Sequence, residues 1–149
     1  MKINQVLYVY TDGGARGNPG PAAIGVVISK AHNEQDGSII TRFGRRVGET
    51  TNNVAEYRAV IAALEFIATQ KLPCQRINFF LDSQLVVSQL TGEFKIKQPH
   101  LRTLVDSVHA LVRRLGTEVS FTHVSRSRNK HADELVNQAL DDPDMTASA

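Results

Sequence analysis

The chain has 149 residues, of which 42% are hydrophobic and 21% charged, as expected of one folded domain with a full core. No apolar run is long enough to cross a membrane and the first residues do not resemble a signal peptide, so the sequence excludes a membrane protein and predicts a cytoplasmic one. Cys74 is the only cysteine, which excludes an internal disulfide and a multi-cysteine zinc site. A net charge of +2 is only a weak indication of a polyanionic partner.

Hydrophobic periodicity and turn residues predict the elements in chain order. Five consecutive apolar residues, 6–10, predict a buried first strand that ends on Asp12, before the Gly/Pro-rich loop 13–21. The later strands are predicted over 22–29, 38–47, 76–81 and 118–124. The helices are predicted over 54–69, 83–90, 101–115 and 132–140.

This order of elements predicts an α/β fold, a mixed sheet flanked by helices. The first strands are joined by short turns, and the later strands alternate with helices. We expect a single domain over residues 1–142 and a flexible C-terminal tail over 143–149.

Four acidic residues occupy similar places in these elements. Asp12 and Asp82 each follow an apolar strand, and Glu56 and Asp133 each lie in the first turn of a helix. Each has an ordinary structural interpretation: a turn before Gly-Gly for Asp12, a capping box with Asn53 for Glu56, an N-cap for Asp82, and matching of the helix dipole for Asp133.

Taken together, the four acids favour a metal site. Strand ends and the helix starts that follow them share one edge of an α/β sheet, and four carboxylates gathered there repel one another without cations. Hard divalent ions with oxygen ligands, above all Mg²⁺, are the natural counter-charge. Two such ions about 3.5–4 Å apart suit in-line attack on a phosphodiester.

The motifs around these acids resemble those of the type 1 ribonuclease H family, in order and over essentially the whole chain. The matching segments are Tyr10-Thr11-Asp12-Gly13-Gly14, Gly17-Asn18-Pro19-Gly20, Thr50-Thr51-Asn52-Asn53-Val54-Ala55-Glu56, Leu81-Asp82-Ser83-Gln84-Leu85-Val86 and Asn129-Lys130-His131-Ala132-Asp133. The resemblance implies a five-stranded mixed sheet, with strands 1–3 antiparallel and strands 1, 4 and 5 parallel.

The same resemblance implies an endonuclease that hydrolyses the RNA strand of RNA/DNA hybrids and leaves 5′-phosphate and 3′-hydroxyl ends. It implies two Mg²⁺ ions, with Mn²⁺ as a substitute. The implied metal ligands and catalytic residues are Asp12, Glu56, Asp82 and Asp133. The implied substrate-binding residues are Asn18, Asn52 and Gln84 in the minor groove, Thr51 at a DNA-strand phosphate, and Asn53, Lys95 and Lys97.

Amide side chains donate and accept hydrogen bonds, so they suit recognition of a 2′-hydroxyl, which distinguishes RNA from DNA. For Asn18 and Asn52, local turn or cap bonding is the open alternative. Another ribonuclease H-like nuclease, acting on DNA or duplex RNA, is the alternative function, and a non-enzymatic hybrid-binding module is a third. The amide set argues against a DNA nuclease, because reading a 2′-hydroxyl is useless on DNA.

Two departures from the family pattern are expected to matter. The loop before the last acid is short, 125–131, with no histidine at its start; Arg126 stands in that position, and His131 is an alternative. The chain also has no tryptophan and lacks the basic protrusion that many bacterial members use to hold the DNA strand, which predicts weaker, more salt-sensitive binding. We expect a monomer with no obligate protein partner.

Overall fold

Strands and helices follow one another in the predicted order. In a computed structural model, residues 5–31 and 38–142 are described, and the tail predicted over 143–149 lies outside them. The strands are β1 (Val6–Ala15), β2 (Gly20–Ser29), β3 (Ile39–Thr50), β4 (Arg76–Leu81) and β5 (Glu118–His123). The helices are α1 (Asn52–Thr69), α2 (Gln84–Leu90), α3 (Pro99–Leu115) and α4 (Lys130–Asp141), with a 3₁₀ turn over Arg126–Asn129 just before α4.

The strands form one mixed sheet in the order β3-β2-β1-β4-β5. β1 pairs antiparallel with β2, and β2 with β3, whereas β1 and β4, and β4 and β5, are parallel. The predicted fold class and strand directions are confirmed. Because β1, β4 and β5 run the same way, their carboxyl ends lie at one edge of the sheet, where ligands bind in open α/β folds.

Helices cover both faces of this sheet, as the alternation of side chains along β1 shows. Val9 packs into the main core with residues of α1 and α3, and the next residue, Tyr10, packs with Phe80 and with Ala132 of α4 on the other face. None of the helices in the described ranges has both the length and the apolar character that a membrane span requires.

The element ends differ from the prediction in one place that matters for the site. β1 does not end on Asp12: residues 12–15 stay paired with β2, with Asp12 opposite Gly25. Its parallel pairing with β4, by contrast, stops at Tyr10, opposite Phe80. Asp12 therefore lies inside the antiparallel ladder but beyond the end of the parallel one. Glycines 13 and 14 favour a turn when taken alone, which is why the sequence predicts a loop where the strand continues.

Several other element ends differ from the prediction by two or three residues. β2 begins at Gly20 and β3 continues to Thr50, and these two residues are partners across the sheet. Gly48 allows the longer β3, since it adopts φ +84° near a shift in register. α3 begins at Pro99, a residue suited to a first helical position, two residues before the predicted start. α4 likewise begins at Lys130, also two residues early.

Candidate metal centre

Three of the four predicted acids meet at the edge of the sheet. One carboxylate oxygen each of Asp12, Glu56 and Asp82 lies within 4.8 Å of the other two. Asp12 and Glu56 are 7% and 6% exposed, and Asp82 is half-buried. Asp133 is not part of this close group. However, all four acids line one groove of about 520 Å³, the carboxylate groove, and the charge of Asp133 acts on Asp12.

Glu56 reaches the group because α1 lies directly against β1. Thr51 caps α1 by accepting a hydrogen bond from the Val54 amide at 3.2 Å, so the capping box considered as the alternative for Glu56, with Asn53, is not what the structure shows. Instead, Glu56 Oε1 accepts a hydrogen bond from the Gly13 amide at 2.9 Å. Its other oxygen, Oε2, is buried and has no hydrogen-bond partner among the described residues.

Asp82 is likewise not the N-cap of α2, the alternative considered for it. Ser83 caps α2, accepting from the Val86 amide at 3.2 Å. Asp82 Oδ2 accepts from Asn129 Nδ2 at 3.5 Å, and the same Nδ2 also donates to the Thr11 carbonyl at 2.8 Å. The Asn129 side chain is completely buried and so connects β1, the end of β4 and the start of α4.

Asn129 lies in the segment Asn129-Lys130-His131-Ala132-Asp133, but the sequence alone predicts no role for it. The available signal was its position four residues before Asp133, one helical turn away, at the start of a helix that carries an acid.

Asp133 is brought to the groove by close packing of α4 on the sheet. A Cβ atom at Gly25 would lie 2.2 Å from the Ala132 carbonyl oxygen, and one at Gly44 would lie 2.5 Å from the Leu135 carbonyl oxygen. Only glycine permits this approach. At the other end of α4, Arg46 donates from Nε and Nη2 to two backbone carbonyl oxygens, each at 2.8 Å.

The pKa shifts of Asp12 and Glu56 indicate that the group carries more negative charge than its surroundings balance. Burial raises the pKa of the Asp12 carboxyl far above its usual range, and a hydrogen bond to Glu56 and repulsion from the other three acids raise it further. Burial also raises the pKa of Glu56, against the opposing effects of its hydrogen bonds and the Arg126 charge. Among the described residues, no lysine, arginine or histidine forms an ion pair with these acids.

These features fit a hard divalent cation. All the available donors are carboxylate oxygens, one of them a buried oxygen without a partner, and the surplus negative charge needs a cation. Asp12, Glu56 and Asp82 are placed to hold an ion, and Asp133 lines the same groove.

Of the predicted substrate residues, Asn52 lines this groove, Asn18 is hydrogen-bonded to Asn52, and Thr51 precedes Asn52 in the chain. Asn18 Oδ1 accepts from the Asn52 amide at 3.0 Å, and Asn52 Oδ1 accepts from the Ala15 amide at 2.8 Å. The local bonding considered for these two residues is therefore present. It occupies their oxygens only, since neither Nδ2 has a partner within residues 5–31 and 38–142. Gln84 is exposed, does not line this groove, and donates to Ser88 Oγ at 2.9 Å.

Lys95 and Lys97 lie elsewhere, in a second groove of about 530 Å³. Asn53 lines both grooves and so marks where they adjoin. Phe94, 47% exposed, lines the second groove as well. Arg126, in the 3₁₀ turn, lines the carboxylate groove, whereas His131 is exposed and does not line it.

Comparison with known proteins gives consistent results. Residues 10–139 match the family described as "Reverse transcriptase-like". The chain is 43% identical over 136 residues to ribonuclease HI of Halobacterium salinarum, covering 91% of this chain and 65% of that protein. It is 38% identical over 143 residues to a bifunctional protein of Mycobacterium tuberculosis, covering 96% of this chain and 38% of that protein. The chain thus spans less than two thirds of each of these two relatives.

Among solved structures, the fold is similar to LC11-RNase H1 crystallised in complex with an RNA/DNA hybrid. The TM-score is 0.82 at 41% sequence identity, covering 91% of this chain and 96% of that one.

Proposed function

Since the chain belongs to the ribonuclease H family, we propose that it is a divalent-metal-dependent endonuclease that hydrolyses the RNA strand of RNA/DNA hybrids and leaves 5′-phosphate and 3′-hydroxyl ends. The observation that carries the proposal is the group formed by Asp12, Glu56 and Asp82, with oxygens within 4.8 Å of one another in an open groove. A binding module gains nothing from acids that face phosphates.

In this proposal Asp12, Glu56, Asp82 and Asp133 hold two Mg²⁺ ions, or Mn²⁺ in their place. The chemistry such ions supply is activation of a water molecule and stabilisation of the leaving oxygen. The burial of Asp12 and Glu56 keeps their carboxylates rigid. Asp82 and Asp133 are half-buried and so remain accessible to the RNA backbone. Arg126 adds positive charge at the groove, and this charge acts on Glu56.

The neighbouring polar residues suit a hybrid duplex. The Nδ2 groups of Asn18 and Asn52 are free to donate to 2′-hydroxyls or base edges, while their oxygens hold the loop in place. Thr51 Oγ1 accepts from its helix, so its hydroxyl hydrogen is available for a phosphate oxygen. Gln84 is exposed for the same minor-groove recognition.

The second groove suits the DNA strand. Lys95 and Lys97 supply positive charge there, and Asn53 lies where the two grooves meet. We further propose that the protein acts as a monomer, without an obligate protein partner, in the cytoplasm.

The test is a cleavage assay of the full chain on an RNA/DNA hybrid, duplex RNA and duplex DNA, with Mg²⁺ or with EDTA. We expect cleavage of the RNA strand of the hybrid only, abolished by EDTA, with ends that a kinase labels only after phosphatase treatment. Cleavage of duplex DNA at a similar rate would favour a different nuclease of the same fold.

Two acids on helix α1 offer a matched pair of variants. Glu56→Gln is expected to lower cleavage by more than about 100-fold, more than loss of an outer-shell partner of a metal typically costs. Glu65→Gln makes the same change at an exposed position on the same helix and is expected to leave activity unchanged. Asp82→Asn should match Glu56→Gln, and full activity in either would contradict the proposal.

A further inference from the structure

Arg16 places a positive charge at the carboxylate groove that none of the roles above uses. Among the described residues that line this groove, Arg16 and Arg126 are the two cations. The Arg126 charge acts on Glu56, inside the group. Arg16 Nη1 instead lies 2.7 Å from Oδ1 of Asp141, in the last turn of α4, and the two side chains are 49% and 67% exposed.

The backbone that carries Arg16 is tightly held. Its amide donates to the Pro21 carbonyl at 2.8 Å, and the preceding amide, of Ala15, donates to Asn52 Oδ1 at 2.8 Å. A Cβ atom at Gly20 would lie 2.0 Å from the Arg16 carbonyl oxygen, so the loop closes onto itself with no room for a side chain there. The loop is fixed, and only the guanidinium is free to change partner.

Exchanging that partner costs little. An exposed ion pair typically contributes little to stability, because both charges are well solvated. A guanidinium binds a phosphate through two parallel hydrogen bonds, and such bonds between charged groups are stronger than neutral ones. A nucleic-acid phosphate at the groove therefore competes effectively with Asp141 for Arg16.

We propose that Arg16 binds a phosphate of the RNA strand beside the one that is cleaved, and that Asp141 holds the guanidinium at the groove until the substrate replaces it. This inference rests on the proposed function, because it takes the strand that crosses the carboxylates to be RNA. It assigns Arg16 to substrate binding and not to the chemical step.

The experiment measures kcat and KM for a labelled hybrid, together with binding by fluorescence anisotropy, over about 50–200 mM salt. Arg16→Ala is expected to raise KM and Kd about tenfold with kcat changed less than about twofold. This result is expected when the lost interaction binds the substrate and the transition state equally well. The slope of log affinity against log salt should become shallower by about 0.9, the value for one phosphate contact. Arg16→Lys keeps the charge but cannot form the two parallel hydrogen bonds to a phosphate. It should restore the wild-type salt slope but only part of the wild-type affinity.

Two further variants separate this role from a structural one. Arg113→Ala removes the same charge from an exposed position outside the groove and should leave KM and the salt slope unchanged. Asp141→Asn removes the holding carboxylate and should give a KM no higher than wild type. If Asp141→Asn raised KM as much as Arg16→Ala, the pair would be a support for α4 and the inference would be wrong.

Failure of this inference is distinguishable from failure of the proposed function. Wild-type cleavage of the hybrid with unchanged KM, Kd and salt slope in Arg16→Ala would overturn the role of Arg16 alone. Absence of hybrid cleavage and hybrid binding by the wild-type chain would overturn both.

Discussion

Gly13 lies where β1 passes directly against the first turn of α1, and replacing it with alanine tests whether this close approach positions Glu56. A Cβ atom at residue 13 would lie 2.3 Å from the carbonyl carbon of Ala55, 2.4 Å from its oxygen and 2.5 Å from the Glu56 nitrogen. All three are backbone atoms, so no side-chain rotation relieves the overlap. α1 must move away from β1, and the hydrogen bond from the Gly13 amide to Glu56 moves with it.

The next residue provides the matched control. A Cβ atom at Gly14 would lie 3.6 Å from a methyl carbon of Val136, an ordinary van der Waals contact. We expect Gly13→Ala to lower the free energy of unfolding by about 3 kcal/mol, as overpacking against a rigid backbone does. Gly14→Ala should change it by less than about 1 kcal/mol, because alanine restricts the unfolded chain without a clash in the folded one.

Urea unfolding followed by circular dichroism, with EDTA or with Mg²⁺, measures both effects. In wild type and Gly14→Ala, Mg²⁺ should raise the free energy of unfolding, since an ion that binds only the folded state stabilises it. In Gly13→Ala this gain should shrink, because Glu56 is displaced. Equal stability of the two variants would refute the packing argument, and a full Mg²⁺ gain in a destabilised Gly13→Ala would refute its link to Glu56.

Two other predictions concern the same buried charges. The raised pKa values of Asp12 and Glu56 mean that the folded, metal-free protein binds more protons than the unfolded chain above the ordinary carboxyl range of about pH 4. In EDTA the free energy of unfolding should therefore fall as the pH rises from about 4 through neutrality; Asp12→Asn should flatten this dependence, and an unchanged slope in that variant would count against it. Asn129→Asp should destabilise the protein more than Asn129→Ala at neutral pH, because it places a buried carboxyl beside Asp82, and the difference between the two urea midpoints should shrink at low pH.

Most of the fold could be predicted from the sequence because its elements have strong hydrophobic periods. The helix predicted over 54–69 and the strand over 76–81 agree with the structure to within two residues. The largest errors, of three residues at the ends of β1 and β3, fall at glycines, where local preference and tertiary pairing disagree. Gly13 and Gly14 favour a turn when taken alone, but pairing with β2 keeps them in the strand.

The acidic group could also be predicted, because topology alone brings strand ends and the following helix starts to one edge. The residues that support the group could not. Asn129 is a polar residue in a basic segment, and only the structure shows that it is buried between Thr11 and Asp82. Arg16 looks like any loop arginine until its ion pair with Asp141, more than a hundred residues away, is visible.

The caps of α1 and α2 explain why the neighbouring acids are available to a metal. Thr51 and Ser83 satisfy the helix starts with uncharged hydroxyls, each accepting a backbone hydrogen bond at 3.2 Å and each expected to contribute about 1 kcal/mol. A capping carboxylate would bind the amides of its own helix start, whereas Glu56 and Asp82 each have an oxygen within 4.8 Å of an oxygen of Asp12. Because the helix starts do not depend on these acids, we expect removal of the metal to change the charge balance of the groove while α1 and α2 stay folded.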